Sequence, residues 1–498
     1  MKLPEFKDLI FYEIYPNSYQ DSNGDGFGDL KGIQSRLPYI KSLGFNAIWL
    51  NPIYDSPFLD GGYDVRNPFL VSPRFGTNED LKELLEEAHR FGIRIFLDLV
   101  PGHMSVQCPD FLASAEGIPN EKWDLFIWND NPWDTPSPYR WISGYFPRHG
   151  CFMVNFFAHQ PAINYGFKEV KAPWQKSYKE TKKGRKYLES IMKFWLDMGV
   201  DGFRVDMADS LVKGDDDKEA TIWLWKQIKK DLKEEGYDDY FMTSEWSNPD
   251  QALKAGFSSD FVLDHWNNFS HKLFREREVE SKKPLLHQYN ENLWQLFKDD
   301  LLHRVAAYHR EGGCLSIISG NHDTWRIADY LDEDELKLAY LFLLTMPGVP
   351  YVYFGDELGL KTNHDLVSFE GGYQRTGSRT PMRWDKSKNA GFSDVDQTFL
   401  PTNEGELTVL EAENDPDSLL NLIRKLNAIR AEEEDLRSPD FELLDAPLSY
   451  RRGGLRIYIN LKDEPLEADG SVLFAIGNPI IQNKHVILKK HQAVIIRD

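Results

Sequence analysis

LKELLEEAHRFGIRIFLDLV, residues 81–100, shows one unit of the fold in miniature. Its first half spaces leucine and alanine against glutamate and arginine, as an amphipathic helix does, and an apolar strand-like run at 93–100 follows. Seven more short apolar or aromatic runs recur, at residues 11–16, 47–52, 202–206, 240–246, 261–266, 314–323 and 349–357. Between them lie further amphipathic segments such as YLESIMKFWLDMG and ATIWLWKQIKKDLKEEG. Eight strands alternating with helices predict an α/β fold of the (β/α)8 barrel type in preference to a doubly wound sheet.

Working outward, one gap is too long for a βα loop. Residues 104–171, after the third strand, are rich in Trp, Pro, Phe and Asn and read as an inserted subdomain overhanging the barrel mouth. The barrel itself then occupies residues 1–103 and 172–430, ending in a last helix near 418–430. Beyond it LSYRRGG, LRIYINL, SVLFAIG and KHVILKKHQAVIIRD alternate in the strand manner, which predicts a C-terminal antiparallel β-domain at 431–498.

Composition narrows the classes of function. At 498 residues, 41% hydrophobic and 13% aromatic, the chain has ample material for a large core. A net charge of −21 argues against nucleic acid and against an anionic membrane surface as partners. Three cysteines without ligand spacing predict neither a disulfide scaffold nor a zinc site. With no apolar run of about 18 residues and no signal-like start, the expectation is a cytoplasmic enzyme; oligomeric state stays open.

Barrel active sites form at the C-terminal ends of the strands. The polar residues there are Asp98 and His103, Arg204 and Asp206, Glu245, and His322 and Asp323. Asp206, Glu245 and Asp323 thus come from different strands and converge on one mouth. Burying carboxylates together is costly, and glycoside hydrolysis supplies a reason for it: one attacks the anomeric carbon and another, kept protonated, gives its proton to the leaving oxygen. Arg204, two residues before Asp206, lies on the same side of its strand and is placed to hold that carboxylate ionised.

Four motifs carry a resemblance over nearly the whole length: Asp98-Leu-Val-Pro-Gly-His103, Gly202-Phe-Arg-Val-Asp206, Ser244-Glu245-Trp246 and Gly320-Asn-His-Asp323. In order and placement they resemble the α-amylase family of glycoside hydrolases (family 13). The resemblance implies Asp206 as nucleophile, Glu245 as general acid/base and Asp323 as transition-state stabiliser, with Arg204, His103, His322 and Tyr63 around the glucose site. Asp60-Gly-Gly-Tyr63-Asp64 and Ser378-Arg379-Thr-Pro-Met-Arg383-Trp384 are similar to the oligo-1,6-glucosidase and α-glucosidase branch. There Asp60 and Arg379 are implied to grip a terminal glucose and, as a charged pair, to close the cleft to longer chains. Gln160-Pro-Ala-Ile-Asn164 resembles a motif of the same branch.

The loop Asp21-Ser-Asn23-Gly-Asp25-Gly-Phe27-Gly-Asp29 places oxygen ligands at alternate positions, a pattern suited to a hard cation. Gly32 at the twelfth position excludes an EF-hand. The resemblance implies a structural calcium held by Asp21, Asn23, Asp25, the Phe27 carbonyl and Asp29. Departures bear on specificity: Gly102 replaces the motif's Asn beside His103, Met207 follows the nucleophile, and Trp325 offers a stacking face. The inserted tryptophans Trp123, Trp128, Trp133 and Trp141 are candidates for leaving-group subsites. The reading is a retaining hydrolase trimming short α-glucans from the non-reducing end; its rivals are an endo-acting α-amylase, a transglycosylase or isomerase of α-glucosides, and a non-catalytic carbohydrate-binding relative.

Overall fold

A computed structural model of the chain describes residues 3–263, 268–275, 283–371 and 375–498. Eight parallel strands form one sheet: β1 (Phe11–Ile14), β2 (Ala47–Leu50), β3 (Arg94–Leu99), β4 (Gly202–Val205), β5 (Phe241–Ser244), β6 (Ser259–Val262), β7 (Cys314–Ile317) and β8 (Tyr351–Tyr353). Neighbours follow the order β7-β6-β5-β4-β3-β2-β1-β8, and a parallel bridge from Ile318 to Tyr351 closes the ring. The fold is the (β/α)8 barrel. Each strand overlaps one of the eight apolar runs; the run at 261–266 continues into residues outside the described ones. Most strands stop short of their runs because the last residues leave the sheet and form the mouth.

Several strands are buried along their whole length, β1, β2, β4, β5 and β6 among them, which is why their sequences read as continuous apolar runs. Inward-pointing side chains plug the barrel with aromatics: Phe11, Trp49, Phe96, Phe241, Phe261 and Tyr351. Phe11 stacks on Tyr351 with ring centroids 4.0 Å apart. This plug is a dry floor beneath the mouth. Where β4 starts against β5 the backbones come so close that a Cβ on Gly202 would lie 1.9 Å from the Phe241 carbonyl oxygen. Only glycine fits there.

The helix Asn78–Arg90 realises the quoted unit. Thr77 and Asp80 form a capping box at its start, and Leu81, Leu84, Leu85 and Ala88 are buried. After β3 the chain makes a short helix, Pro109–Ser114, and a small sheet of Trp128–Asn129, Cys151–Val154 and Arg140–Ser143. Helices Leu419–Glu432 and Glu434–Arg437 complete the helical layer, two residues and a further turn past the predicted end. A five-stranded and a three-stranded antiparallel sheet follow between residues 442 and 497. Among the described residues no helix is long and apolar enough to cross a membrane.

Candidate active site

Loops leaving the C-terminal ends of the strands enclose a cavity of about 360 Å3. Asp60, Tyr63, His103, Asp206, Glu245 and Asp323 line it, with Phe156, Met207, Asp209, Trp246, Leu263 and Arg375. Arg204, His322 and Arg379 are buried behind this wall. All nine residues named as catalytic or sugar-binding from sequence therefore meet at one place.

The Arg204 guanidinium serves three carboxylates. Its Nη1 lies 2.7 Å from Asp98 Oδ1 and 3.0 Å from Asp206 Oδ1; its Nη2 lies 2.7 Å from Glu245 Oε1, a charge contact without hydrogen-bond alignment. One positive charge among three carboxylates leaves the cluster short of counter-charge over the aromatic floor. Burial pushes Asp98 up to about 6 and Asp206 and Glu245 up to about 7, with Arg204 opposing it in each case. The expectation that Arg204 keeps Asp206 ionised thus holds in sign, but burial outweighs it. Near neutral pH the Asp206–Glu245 pair keeps a proton between them. Asp206 has the aligned hydrogen bond to Arg204, and Glu245 Oε2 accepts from the Met207 N–H at 2.9 Å.

Asp323 has the reverse setting. Arg375 Nη1 and Arg379 Nη2 approach its Oδ1 at 2.7 Å and 2.9 Å, and His322 Nε2 lies 3.3 Å from Oδ2. Burial raises the Asp323 carboxyl, but the combined pull of His322, Arg375 and Arg379 holds it well below the usual carboxylate range. The predicted Asp60–Arg379 pair is corrected here. Asp60 Oδ1 pairs with Arg375 Nη2 at 2.8 Å and Oδ2 accepts from Gln160 Nε2 at 2.7 Å, whereas Arg379 Nε donates to the His322 carbonyl at 2.8 Å. The two arginines flank one 3-10 turn, Thr376–Arg379, and Arg375 is the one that bridges Asp60 to Asp323.

Local sequence explains how these side chains are aimed. Asp64 accepts from the backbone N–H of Leu59 and of Asp60, both at 3.0 Å, which winds the Asp60-Gly-Gly-Tyr63 turn toward the cavity. Asn321 Oδ1 accepts from the Asp323 N–H at 2.9 Å and does the same for the loop after β7. Tyr63 Oη donates to Asp98 Oδ2 at 2.8 Å, so the His322 Nε2 that lies 2.7 Å from the phenol is the donor of that contact. His322 Nδ1 then accepts; it faces Asn51 Nδ2 and Glu13 Oε1, both at 2.9 Å, and burial raises the Glu13 carboxyl well above the usual range.

Other expectations fall elsewhere. Trp325 does not line the cavity; its ring packs edge-on to His364. None of the four inserted tryptophans lines it either: Arg148 covers Trp123, Trp128 stacks on Phe111, Trp141 packs on Trp174, and Trp133 is exposed. Phe156 is the aromatic that the inserted segment contributes. In the 21–29 loop, Asp21 accepts from the N–H groups of Asn23, Gly24 and Gly26, Asn23 from Asp25, Asp25 from Phe27, and Asp29 caps the helix Leu30–Ser35 through Gly32. The loop lies outside the cavity wall. Missing from the sequence reading were Glu13, Asn51, whose Nδ2 also donates to Glu13 Oε1 at 3.1 Å, Arg375 and Asn155. Of these Arg375 carried its charge four residues before Arg379, just outside the Ser378–Trp384 stretch, and Asn155 had only the indirect signal of Gly102.

The family described as alpha amylase, catalytic domain, matches residues 13–438. A glucan 1,6-alpha-glucosidase of Streptococcus pneumoniae is 32% identical to this chain, with 96% of this chain and 94% of that protein covered. A probable oligo-1,6-glucosidase 2 of Bacillus subtilis is also 32% identical, with 89% and 87% covered. Among solved structures, an alpha-amylase from H. orenii superposes with a TM-score of 0.80 at 26% identity, over 98% of this chain and 99% of that one.

Proposed function

This chain belongs to the α-amylase family of glycoside hydrolases, and from that membership and the geometry of its cavity we propose a retaining α-glucosidase that removes terminal glucose from short α-glucans. The observation that carries the reading is the pair of opposed charge settings around one cavity: Asp98, Asp206 and Glu245 face the single guanidinium of Arg204, whereas Asp323 faces both Arg375 and Arg379.

In the first half-reaction the Asp206 carboxylate bonds to the anomeric carbon as the glycosidic C–O bond breaks. Glu245 gives its proton to the departing oxygen. In the second, Glu245 takes a proton from water, whose oxygen bonds to the anomeric carbon as the Asp206 ester bond breaks. Asp323, anionic throughout, faces the positive charge that develops on the sugar. The Asp60–Arg375–Asp323 chain of ion pairs supports the terminal-glucose reading, because it sets a charged wall beside the glucose site. The names of the two relatives, both acting on α-1,6 links, support a preference for isomaltose-type substrates.

The same reading extends to the 21–29 loop as a calcium site. Among the described residues no three carboxylate, imidazole or thiol groups form a metal-ligand cluster. Asp21, Asp25 and Asp29 therefore do not converge as they stand, and a hard cation would have to draw them together with the Asn23 amide oxygen and the Phe27 carbonyl. Such an ion would brace the loop and take no part in the chemistry. A cytoplasmic setting is supported by Cys108, Cys151 and Cys314, all present as free thiols.

The test is a time course on maltose, isomaltose, maltoheptaose and soluble starch with products separated by size. Early glucose from the disaccharides, isomaltose fastest, with starch nearly untouched, is the expected result. Maltose and longer fragments from starch would overturn the reading in favour of an endo-acting amylase.

A further inference from the structure

His103 is held by a side chain that none of the motifs contains. Its Nε2 lies 3.2 Å from the Tyr63 carbonyl oxygen, which only accepts, so the ring proton sits on Nε2 and Nδ1 is an acceptor. Nδ1 faces Asn155 Nδ2 at 3.3 Å. On the other side of that amide, Lys213 Nζ donates to Asn155 Oδ1 at 2.9 Å and to the Ser210 carbonyl at 2.7 Å. An ammonium has no lone pair to offer, so Lys213 fixes the amide with its oxygen outward and its nitrogen toward the histidine. Every donor in the series Lys213, Asn155, His103 points the same way.

Gly102 makes the room. A Cβ at this position would lie 2.6 Å from Asn155 Nδ2, and Gly102 has no left-handed φ that would call for glycine on its own account. The residue that departs from the motif and the amide that replaces its side chain are therefore one feature. Burial pushes the His103 imidazolium down to about 3, in agreement with a neutral ring; Lys213 and His159 are the charged or titratable groups that push it the same way.

We propose that Asn155 is the positioning residue of His103: it fills the space left by Gly102 and presents its amide to Nδ1, so that the ring enters the cavity neutral with its one proton on Nε2. Lys213 sets the orientation of that amide. The proposal rests on the glucosidase reading for its kinetic consequence and on geometry alone for the tautomer.

The experiment compares N155A, N155D, G102N and G102N/N155A with the parent on p-nitrophenyl α-D-glucopyranoside. A second readout is the ring 15N shift of His103 in histidine-labelled protein, assigned with H103Q. N155D keeps the shape but turns a donor into an acceptor. It is expected to put a proton on Nδ1, to lower kcat/KM about tenfold with most of the loss in KM, and to add an ionisation to the acid limb of kcat/KM. N155A is expected to lose about threefold to tenfold without that added ionisation. G102N crowds Asn155 and loses activity, and G102N/N155A recovers much of the loss because the new side chain then has space. Ring shifts and kcat/KM of N155D within about twofold of the parent would overturn the proposal, as would a double variant no better than G102N. A parent that leaves the probe intact would sink the glucosidase reading instead, while the ring shifts would still decide the role of Asn155.

Discussion

On one wall of the cavity a single guanidinium, Arg204, faces Asp98, Asp206 and Glu245; on another, a single carboxylate, Asp323, faces Arg375 and Arg379. All four acids sit above the same aromatic plug, and burial raises the carboxyl in each case. What differs is the ratio of charges. Three carboxylates to one cation leave protons bound near neutral pH, whereas one carboxylate to two cations is held ionised. Acid chemistry and anion chemistry are thereby separated within one pocket by counting partners, with no difference in residue type needed.

The largest effect expected from this comparison is on turnover. Asp206→Asn keeps the shape and removes the attacking oxygen, so kcat should fall on the order of 10^4-fold to 10^6-fold with the fold intact. Glu245→Gln should cost nearly as much on a disaccharide and much less on a glucoside whose leaving group needs no proton. Kinetics on isomaltose and on an activated aryl glucoside check both. Equal losses on the two substrates would mean that Glu245 is not the proton donor and that the proton resides elsewhere in the Arg204 cluster.

A smaller effect, on stability, sets the two walls directly against each other. Glu245 titrates at about 7 when folded and near 4.3 in an unfolded chain, so the folded state binds the extra proton and loses stability as pH rises between those values. Glu245→Gln should therefore raise the unfolding midpoint, more at pH 8 than at pH 5. Asp323 is shifted downward, so its contribution is present above about 3.9 and is lost as pH falls toward its folded value. Asp323→Asn should lower the midpoint at pH 7 and still lower it, by somewhat less, near pH 3, because the folded carboxyl stays ionised there. Thermal unfolding of both variants across this range decides it; changes of the same sign would show that burial alone, and not the charge ratio, governs the two walls.

Which parts of this were legible in the sequence follows from where the information sits. The strand-end acids could be read because Asp206 and Glu245 stand one residue past β4 and β5, Asp323 lies in the loop after β7, and each belongs to a short contiguous motif. Glu13 lay inside such a run, FYEIYP, and its role depends on which way the third residue of β1 points once the barrel closes. The partner of Asp60 was not legible because Arg375 and Arg379 have the same charge and stand at opposite ends of one turn; only the three-dimensional path selects between them. Asn155 could not be found from its own neighbourhood at all. Its signal is a missing side chain at residue 102, more than fifty positions away, and that absence acquires meaning only when the inserted segment folds back over β3. Contacts written within one strand end are visible in one dimension, and contacts between a loop and its insert are not.

The 21–29 loop provides a third ratio and the smallest effect. It carries Asp21, Asp25 and Asp29 within nine residues, and among the described residues no ion pair reaches any of them. Their oxygens are met by backbone N–H groups and by the hydroxyls of Ser22 and Ser393. If counter-charge is what makes clustered carboxylates tolerable, this loop needs a cation from solution. Adding calcium to chelator-treated protein should then raise the unfolding midpoint by a few degrees, as a ligand at about 100 times its Kd stabilises by about 2.7 kcal/mol. Turnover of protein that stays folded should hardly change, since the loop does not line the cavity. An unfolding midpoint indifferent to calcium would show that neutral donors satisfy the buried Asp21 and Asp29 as well as the exposed Asp25, and would confine the charge-ratio argument to the barrel mouth.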